Sequence, residues 1–326
     1  MPFTLIKGKF HVRNYSPDGD SIRFEPDNTA FVQALPGGRP KFNARNHVQL
    51  RLEAIDTLET HYTPPSGGGV YHQPLTLANK AMDSLLSFVG ITDVEWDVLH
   101  KTVVSANDGT PGYIVTRAIE KYGRPIAFVF AGDIDKEDGA SIFLTTKHLR
   151  DSYNYQALLQ GYAYPTYYEG LFFDLRETLN EAVLEARDQR RELHAVDATH
   201  TGIDASSLIS ITQDVCIMPK LFRRLCEYMV NYGTAIGFKE KLALSKEPVL
   251  DLVNNNFTHF DTFIEQDPDS SLIKLTRFPE QLIFDPMPAR PVNTFSVLMN
   301  PEIGETLAET NINGTVPGDL LRDFLA

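Results

Sequence analysis

The chain has 326 residues, 42% hydrophobic and 22% charged, the balance of a folded globular protein of about two domains and not of a disordered chain. Its formal net charge of −13 excludes a broad basic surface, so any contact with nucleic acid must run through a local patch. No apolar run approaches the roughly 20 residues of a membrane helix, and "MPFTLIKGKFHVRNY" has neither the apolar core nor the cleavage site of a signal peptide. A cytoplasmic protein without a membrane partner is therefore expected. Two cysteines, Cys216 and Cys226, are too few for a disulfide framework or a four-cysteine zinc site and read as buried free thiols.

In chain order, residues 3–13 read as a strand, and Pro-Asp-Gly in "YSPDGDS" turns the chain into a second strand at Ile22 and Phe24. A long connection, 26–46, leads to a third strand over 47–55, and the glycine-rich stretch 63–74 to a helix. Ala78, Ala81, Met82, Leu85, Leu86 and Val89 share one face of that helix, and Gly90 ends it. "DVEWDVLHKTVV" (93–104) reads as one strand, "NDGTPG" as a turn, and "YIVTRAI-EKYGR-PIAFVFA" as strand, tight turn and strand. Helices are predicted over 148–160 and 172–194, and a linker over 197–207. Pro219 then opens a helix carrying Leu221, Phe222, Leu225 and Met229. Strands are expected in "LIKLTRFPEQLIFDP" and in 291–301, and a short apolar helix or docking segment at the end of the tail, 311–326. Short strands with an inserted helix suit a small five-stranded barrel of the OB type.

Several motifs lead nowhere. "DIDKEDG" (133–139) resembles a calcium loop, but its glycine comes one residue late and Leu144 stands where the bidentate glutamate belongs. The glycine runs lack a phosphate-loop ending, and no histidine pair has zincin spacing. Three places hold chemistry. Asp18-Gly19-Asp20 alone is more simply a turn. Arg51 with Asp56, Thr57 and Glu59 reads equally as a site or as a polar strand end. Arg124, closing "KYGR", alone reads as a solvated charge. Together they form a kit for metal-assisted phosphodiester hydrolysis. Two hard carboxylates can hold a calcium-type ion, a glutamate can take a proton from water, and two arginines can grip a phosphate.

The stretches "PDGDSIRF", "LRLEAIDTLETH", "KYGRPIAFVF" and "NYQALLQGYA" resemble, in order, the landmark stretches of the staphylococcal nuclease (thermonuclease) family, over about residues 8–196. The resemblance implies an α+β fold with a five-stranded OB-type β-barrel and three helices, here a nuclease domain over 1–198. It implies Asp20, Asp56 and the Thr57 carbonyl as calcium ligands, Glu59 as general base, and Arg51 and Arg124 as phosphate-binding catalytic residues. Tyr122 and Tyr167 match substrate-side tyrosines, and Asp18 an acidic position behind the metal ligands. The implied activity is that of a metal-dependent endonuclease, a phosphodiesterase cleaving DNA or RNA to 3′-phosphate ends. The alternative is a non-catalytic OB-fold scaffold that binds nucleic acid or protein. Leu58 stands where the family usually has proline, and the 26–46 connection is longer than usual. Residues 199–326 match nothing nameable and are expected to form a smaller mixed α/β accessory domain for packing or homodimerisation.

One geometric difficulty remains. Arg51 and Asp56 have opposite parity, so on a straight strand their side chains would face apart. A common site requires a bend or bulge between them.

Overall fold

Residues 2–99 and 101–285 are described by a computed structural model. The chain opens with β1 (Phe3–His11), β2 (Arg23–Pro26), the short helix α1 (Thr29–Gln33), β3 (Val48–Gln49), β4 (Arg51–Leu52) and β5 (Ile55–Thr57). It continues through α2 (Leu75–Phe88), β6 (Thr92–Trp96), β7 (Val103–Asn107), β8 (Thr110–Ile119), β9 (Pro125–Ala131) and β10 (Ser141–Ile142). Then come α3 (Thr146–Leu149), α4 (Tyr153–Leu159), β11 (Ala163–Pro165), β12 (Tyr167–Tyr168) and α5 (Phe173–Asp188). The remainder holds β13 (Ile203–Asp204), α6 (Pro219–Tyr232), α7 (Phe238–Ser245), β14 (Pro248–Asp251), β15 (Asn256–His259), β16 (Ile264–Glu265), β17 (Leu272–Leu275) and β18 (Leu282–Phe284).

The fold is mixed α and β around a nearly closed, barrel-like sheet of six strands in the order β3-β2-β1-β8-β9-β4. Both ends of that order belong to one run of chain, 48–52, so the sheet nearly meets itself at Leu50. The Leu50 amide donates to the Ile22 carbonyl at 2.9 Å and the Leu52 amide to the Asp20 carbonyl at 3.0 Å. Leu5, Phe10, Phe24, Val48, Val115 and Phe128 belong to the apolar core packed against the sheet.

The predicted third strand is broken where parity demanded. Ala54 has φ +68°, a left-handed conformation rare for a residue with a Cβ. Before it, β4 runs parallel to β9; after it, β5 runs antiparallel to β11. The chain thus changes sheets at Glu53-Ala54. Asn154 clamps the change from beneath: its Nδ2 donates to the Glu53 and Ala127 carbonyls at 2.8 and 3.1 Å, and its Oδ1 accepts from the Val129 amide at 3.0 Å.

Other expectations need correction. The strand read over 93–104 is a hairpin, β6 and β7, turned at 97–102; its apolar residues carried no turn signal. The helix predicted over 148–160 is two, α3 and α4, because the Ser152 side chain caps a fresh start by accepting from the Tyr155 amide. The stretch 197–207 is packed and not a linker: Thr199, Ile203 and Ala205 are buried, and β13 pairs with β17. Cys216 and Cys226 are free and buried as expected, with Cys216 ahead of α6 and not on it. The strand expected over 291–301 and the tail over 311–326 lie outside the described residues. Among the described residues, no helix is long and apolar enough to cross a membrane.

A second apolar cluster lies beyond the barrel. Leu221, Phe222, Leu225 and Met229 of α6 meet Phe260, Ile273 and Phe284 there, with Leu58, Ala78 and Tyr164 reaching in from the first half of the chain. β12 joins β18, β14 and β15 in one sheet, and Arg187 of α5 grips Glu280 with two hydrogen bonds of 2.6 and 2.8 Å. The described residues cluster as one compact unit.

Candidate active site

The turn that follows Asp18 is shaped by a glycine for a steric reason. A Cβ on Gly19 would stand 2.8 Å from both the Ala81 Cβ and the Thr57 Oγ1. Only glycine lets this turn press against α2 and β5. The Asp18 Oδ1 accepts from the Gly19 amide at 2.8 Å, and the Asp20 Oδ2 accepts from the Thr57 amide at 3.2 Å. Asp56, on β5 beside Thr57, and Glu59, just beyond the strand, complete the group of acids.

The structure brings Asp18, Asp20, Asp56 and Glu59 into one electrostatic neighbourhood. Burial, with Asp56 and Glu59 nearby, pushes the Asp20 carboxyl up to about 7. Burial, with Asp20 and Glu59, holds Asp18 well above the usual carboxylate range. Burial also raises Glu59, although Arg223 opposes it. Four acids gathered out of water are short of positive charge. The hydroxyl of Thr57 is buried beside them with no hydrogen-bond partner.

Glu59 is held by its backbone. Its amide donates to the Gln73 Oε1 at 3.2 Å, and the Gln73 amide donates back to the Glu59 carbonyl at 2.8 Å. Gln73 in turn donates from Nε2 to the Ile217 carbonyl at 2.8 Å, just ahead of α6. Leu58 is 1% exposed in the second apolar cluster. The turn carrying Glu59 is therefore anchored from both sides to the chain beyond residue 198.

Arg51, half-buried on β4, stacks over Tyr168 with its Cζ 4.6 Å from the ring centroid. Against the burial that would lower it, Tyr168, Asp56 and Asp20 hold its pKa above the ordinary arginine value. It also lines a cleft of about 320 Å³ with Glu53, Arg117, Lys121 and Tyr168. Arg124 closes the β8–β9 turn, its Nε donating to the Glu120 Oε1 at 2.9 Å, and its charge is felt at Glu59. The long 26–46 connection lies along this turn: the Gly38 amide donates to the Ile119 carbonyl at 2.9 Å and the Lys41 amide to the Gly123 carbonyl at 3.0 Å.

The tyrosines divide. Tyr122 is 58% exposed beside Lys121. Tyr167 is fully buried, its hydroxyl donating to the Asn180 Oδ1 at 2.7 Å, so it cannot touch a ligand arriving from solvent. Alternation along β12 turns its neighbour Tyr168 toward Arg51 instead. Of the two adjacent tyrosines, Tyr168 and not Tyr167 lies beside Arg51.

Arg223 escapes a reading of motifs altogether. It projects from α6 into the acids. Its Nη1 and Nη2 donate to the two carboxylate oxygens of Asp56 at 3.0 and 2.7 Å, and Nη1 also donates to the Glu59 Oε1. The two ion pairs hold Arg223 above its ordinary pKa despite burial. Lys220, Arg223 and Arg224 were legible as a charged flank on an apolar helix. The target of Arg223 was not, since Asp56 lies 167 residues away in sequence.

The donor set suits a hard divalent cation: carboxylate oxygens, partly buried and in charge excess. Arg223 holds both oxygens of Asp56, so a cation at that carboxylate competes with an internal guanidinium. No family model and no curated protein sequence matches the chain. The case for function therefore rests on the four sequence motifs and on this geometry.

Proposed function

We propose that the chain is a calcium-dependent nuclease of the staphylococcal nuclease-like class, built on a five-stranded OB-type barrel and hydrolysing DNA or RNA to 3′-phosphate ends. The gathering of Asp20, Asp56 and Glu59 in charge excess beside Arg51 carries this reading. In it Asp20, Asp56 and the Thr57 carbonyl hold calcium, which supplies charge stabilisation at the phosphoryl oxygens when bound. Glu59 takes the proton from the attacking water. Burial lifts its basicity while its backbone clamp to Gln73 keeps it in place. Arg51 and Arg124 donate to the phosphate and to the charge that builds in the transition state. Tyr168, stacked on Arg51 beside the cleft, lies where a substrate-side ring is needed.

The test is an assay of purified protein on single- and double-stranded DNA and RNA with calcium, magnesium or chelator, followed by analysis of product ends. Calcium-dependent cleavage to 3′-phosphates is expected. Glu59→Gln and Arg124→Ala should each lower turnover by about 10²–10³ with the fold intact. Unchanged cleavage in both variants would overturn the assignment.

One observation favours a second reading, a binding scaffold without hydrolysis: Arg223 already pairs with both Asp56 and Glu59. A protein that binds oligonucleotides but never shortens them with calcium present would decide for it.

A further inference from the structure

On the outer face of the barrel, three neighbouring strands present a different constellation. β1 pairs with β2 so that His11 opposes Arg23 and Lys9 opposes Glu25. Glu25 is thus the diagonal neighbour of His11 on the same face. β2 pairs with β3 so that Phe24 opposes Val48 and Arg23 opposes Gln49; continued by one residue, this register sets His47 opposite Glu25. Phe10, Phe24 and Val48, of the other parity, point into the core. His11, Glu25 and His47 therefore share one patch for a reason intrinsic to the sheet.

We propose that His11, Glu25 and His47 form a zinc-binding site, three protein ligands with an open position. Their donor atoms all lie within 4.8 Å of one another. The His11 Nε2 is 3.0 Å and the His47 Nε2 4.0 Å from the Glu25 Oε2. Ligands on a tetrahedral zinc at about 2.0–2.1 Å stand about 3.3 Å apart, so each of these distances is within about 1 Å of what the ion needs. The two imidazoles stack with centroids 4.1 Å apart and planes 21° from parallel, so their Nε2 atoms approach the same carboxylate side by side.

The far sides of both rings also have partners, as in zinc sites whose histidines are oriented from behind. The His47 Nδ1 is 3.1 Å from the Tyr15 hydroxyl, which accepts from the Asn43 Nδ2 at 2.6 Å. Asn43 accepts the His47 amide through its Oδ1 at 3.1 Å, so the loop ahead of β3 is set by the residue that also holds Tyr15. The His11 Nδ1 is 3.6 Å from the Asp108 Oδ2. That oxygen is fixed by the Val12 and Arg13 amides at 3.0 and 2.9 Å. Two imidazoles and one carboxylate are a nitrogen and oxygen set that suits zinc and disfavours calcium. None of the three belongs to the carboxylate cluster, so this site stands or falls independently of the nuclease reading.

The full chain, stripped with chelator, should bind one equivalent of Zn²⁺ against a chromophoric competitor, and Co²⁺ should give the intense visible band of a tetrahedral site. His47→Gln should weaken Zn²⁺ binding by more than about 100-fold, and Asp108→Asn, which touches no metal, by about 10–100-fold. Asp20→Asn should leave it unchanged. X-ray absorption of the zinc-loaded wild-type protein should show two imidazole ligands, and this holds whether or not the variants fold. Oxygen-only ligation, or equal Zn²⁺ affinity in the wild type and a folded His47→Gln variant, would overturn the proposal.

Discussion

Helix α6 serves two ion clusters, and they are opposites. On one flank, Lys220 and Arg224 converge on Glu247 at 2.8 and 2.9 Å. Two cations meet one acid there, and against its own burial Glu247 falls to about 2. On the other flank, Arg223 reaches into Asp18, Asp20, Asp56 and Glu59, where acids outnumber the cations beside them and burial pushes Asp20 up to about 7. One helix thus presents a satisfied cluster and an unsatisfied one within a turn of each other. A charge-balanced buried cluster joins two pieces of chain. A charge-starved one is where an external cation or phosphate-bound metal has something to gain, and this is why perturbed acids mark sites. In the proposed reading, function lies on the Arg223 side of α6 and architecture on the Glu247 side.

The sharpest way to break the comparison is to remove Arg223. Arg223→Gln strips Asp56 and Glu59 of a buried partner and should cost about 3–5 kcal/mol of metal-free stability. It should also tighten calcium binding, because the ion no longer competes with a guanidinium. Denaturant melts with and without calcium check both, and the variant should recover more stability from calcium than the wild type does. Equal gains in the two proteins would remove Arg223 from the site's electrostatics.

Next is Leu58, which anchors the Glu59 turn in the second apolar cluster. Leu58→Ala should cost about 2–5 kcal/mol and should also slow turnover if the turn loosens. Lost stability with unchanged turnover would mean that the Gln73 clamp alone positions Glu59.

The effect that is smallest per step, a slope with pH, is the most diagnostic. Glu247 has a depressed folded pKa, so its contribution to stability is present above the ordinary carboxylate range near pH 4 and is lost as pH falls toward about 2. Asp20 has a raised one. Its folded form holds a proton that the unfolded chain has released, so metal-free stability should fall as pH rises from about 4 to about 7. Each slope is at most about 1.4 kcal/mol per pH unit for one proton. Chemical denaturation across pH should show the second slope shrink in Asp20→Asn, with the remainder carried by Asp18 and Glu59, and flatten with calcium, while the first stays in both cases.

Much of the barrel was legible because its signals are local. Alternation gave β1, β8 and β9, Pro-Asp-Gly and Lys-Tyr-Gly-Arg gave turns, and Gly90, at φ +78°, closed α2 as its position suggested. Even the break at Ala54 followed from the parity of Arg51 and Asp56. The hairpin over 92–107 was not legible, since Val98 and Leu99 look like strand interior yet are exposed. Nor was the choice between Tyr167 and Tyr168, which depends on the face β12 turns inward once β18 pairs with it.

What the sequence determined by itself is the set of reactive groups and the short-range geometry that aims them: acids after turns, arginines at strand ends, a bend between Arg51 and Asp56. These follow from steric and hydrogen-bonding preferences within a few residues. The tertiary structure alone decided that Arg223 meets Asp56 and Glu59, that Leu58 belongs to a core built largely from residues beyond 198, and that His11, Glu25 and His47 share a face. Such contacts join residues far apart in the chain, and what selects them is the burial of α6 and the register of the sheet. Neither leaves a mark within any window of sequence.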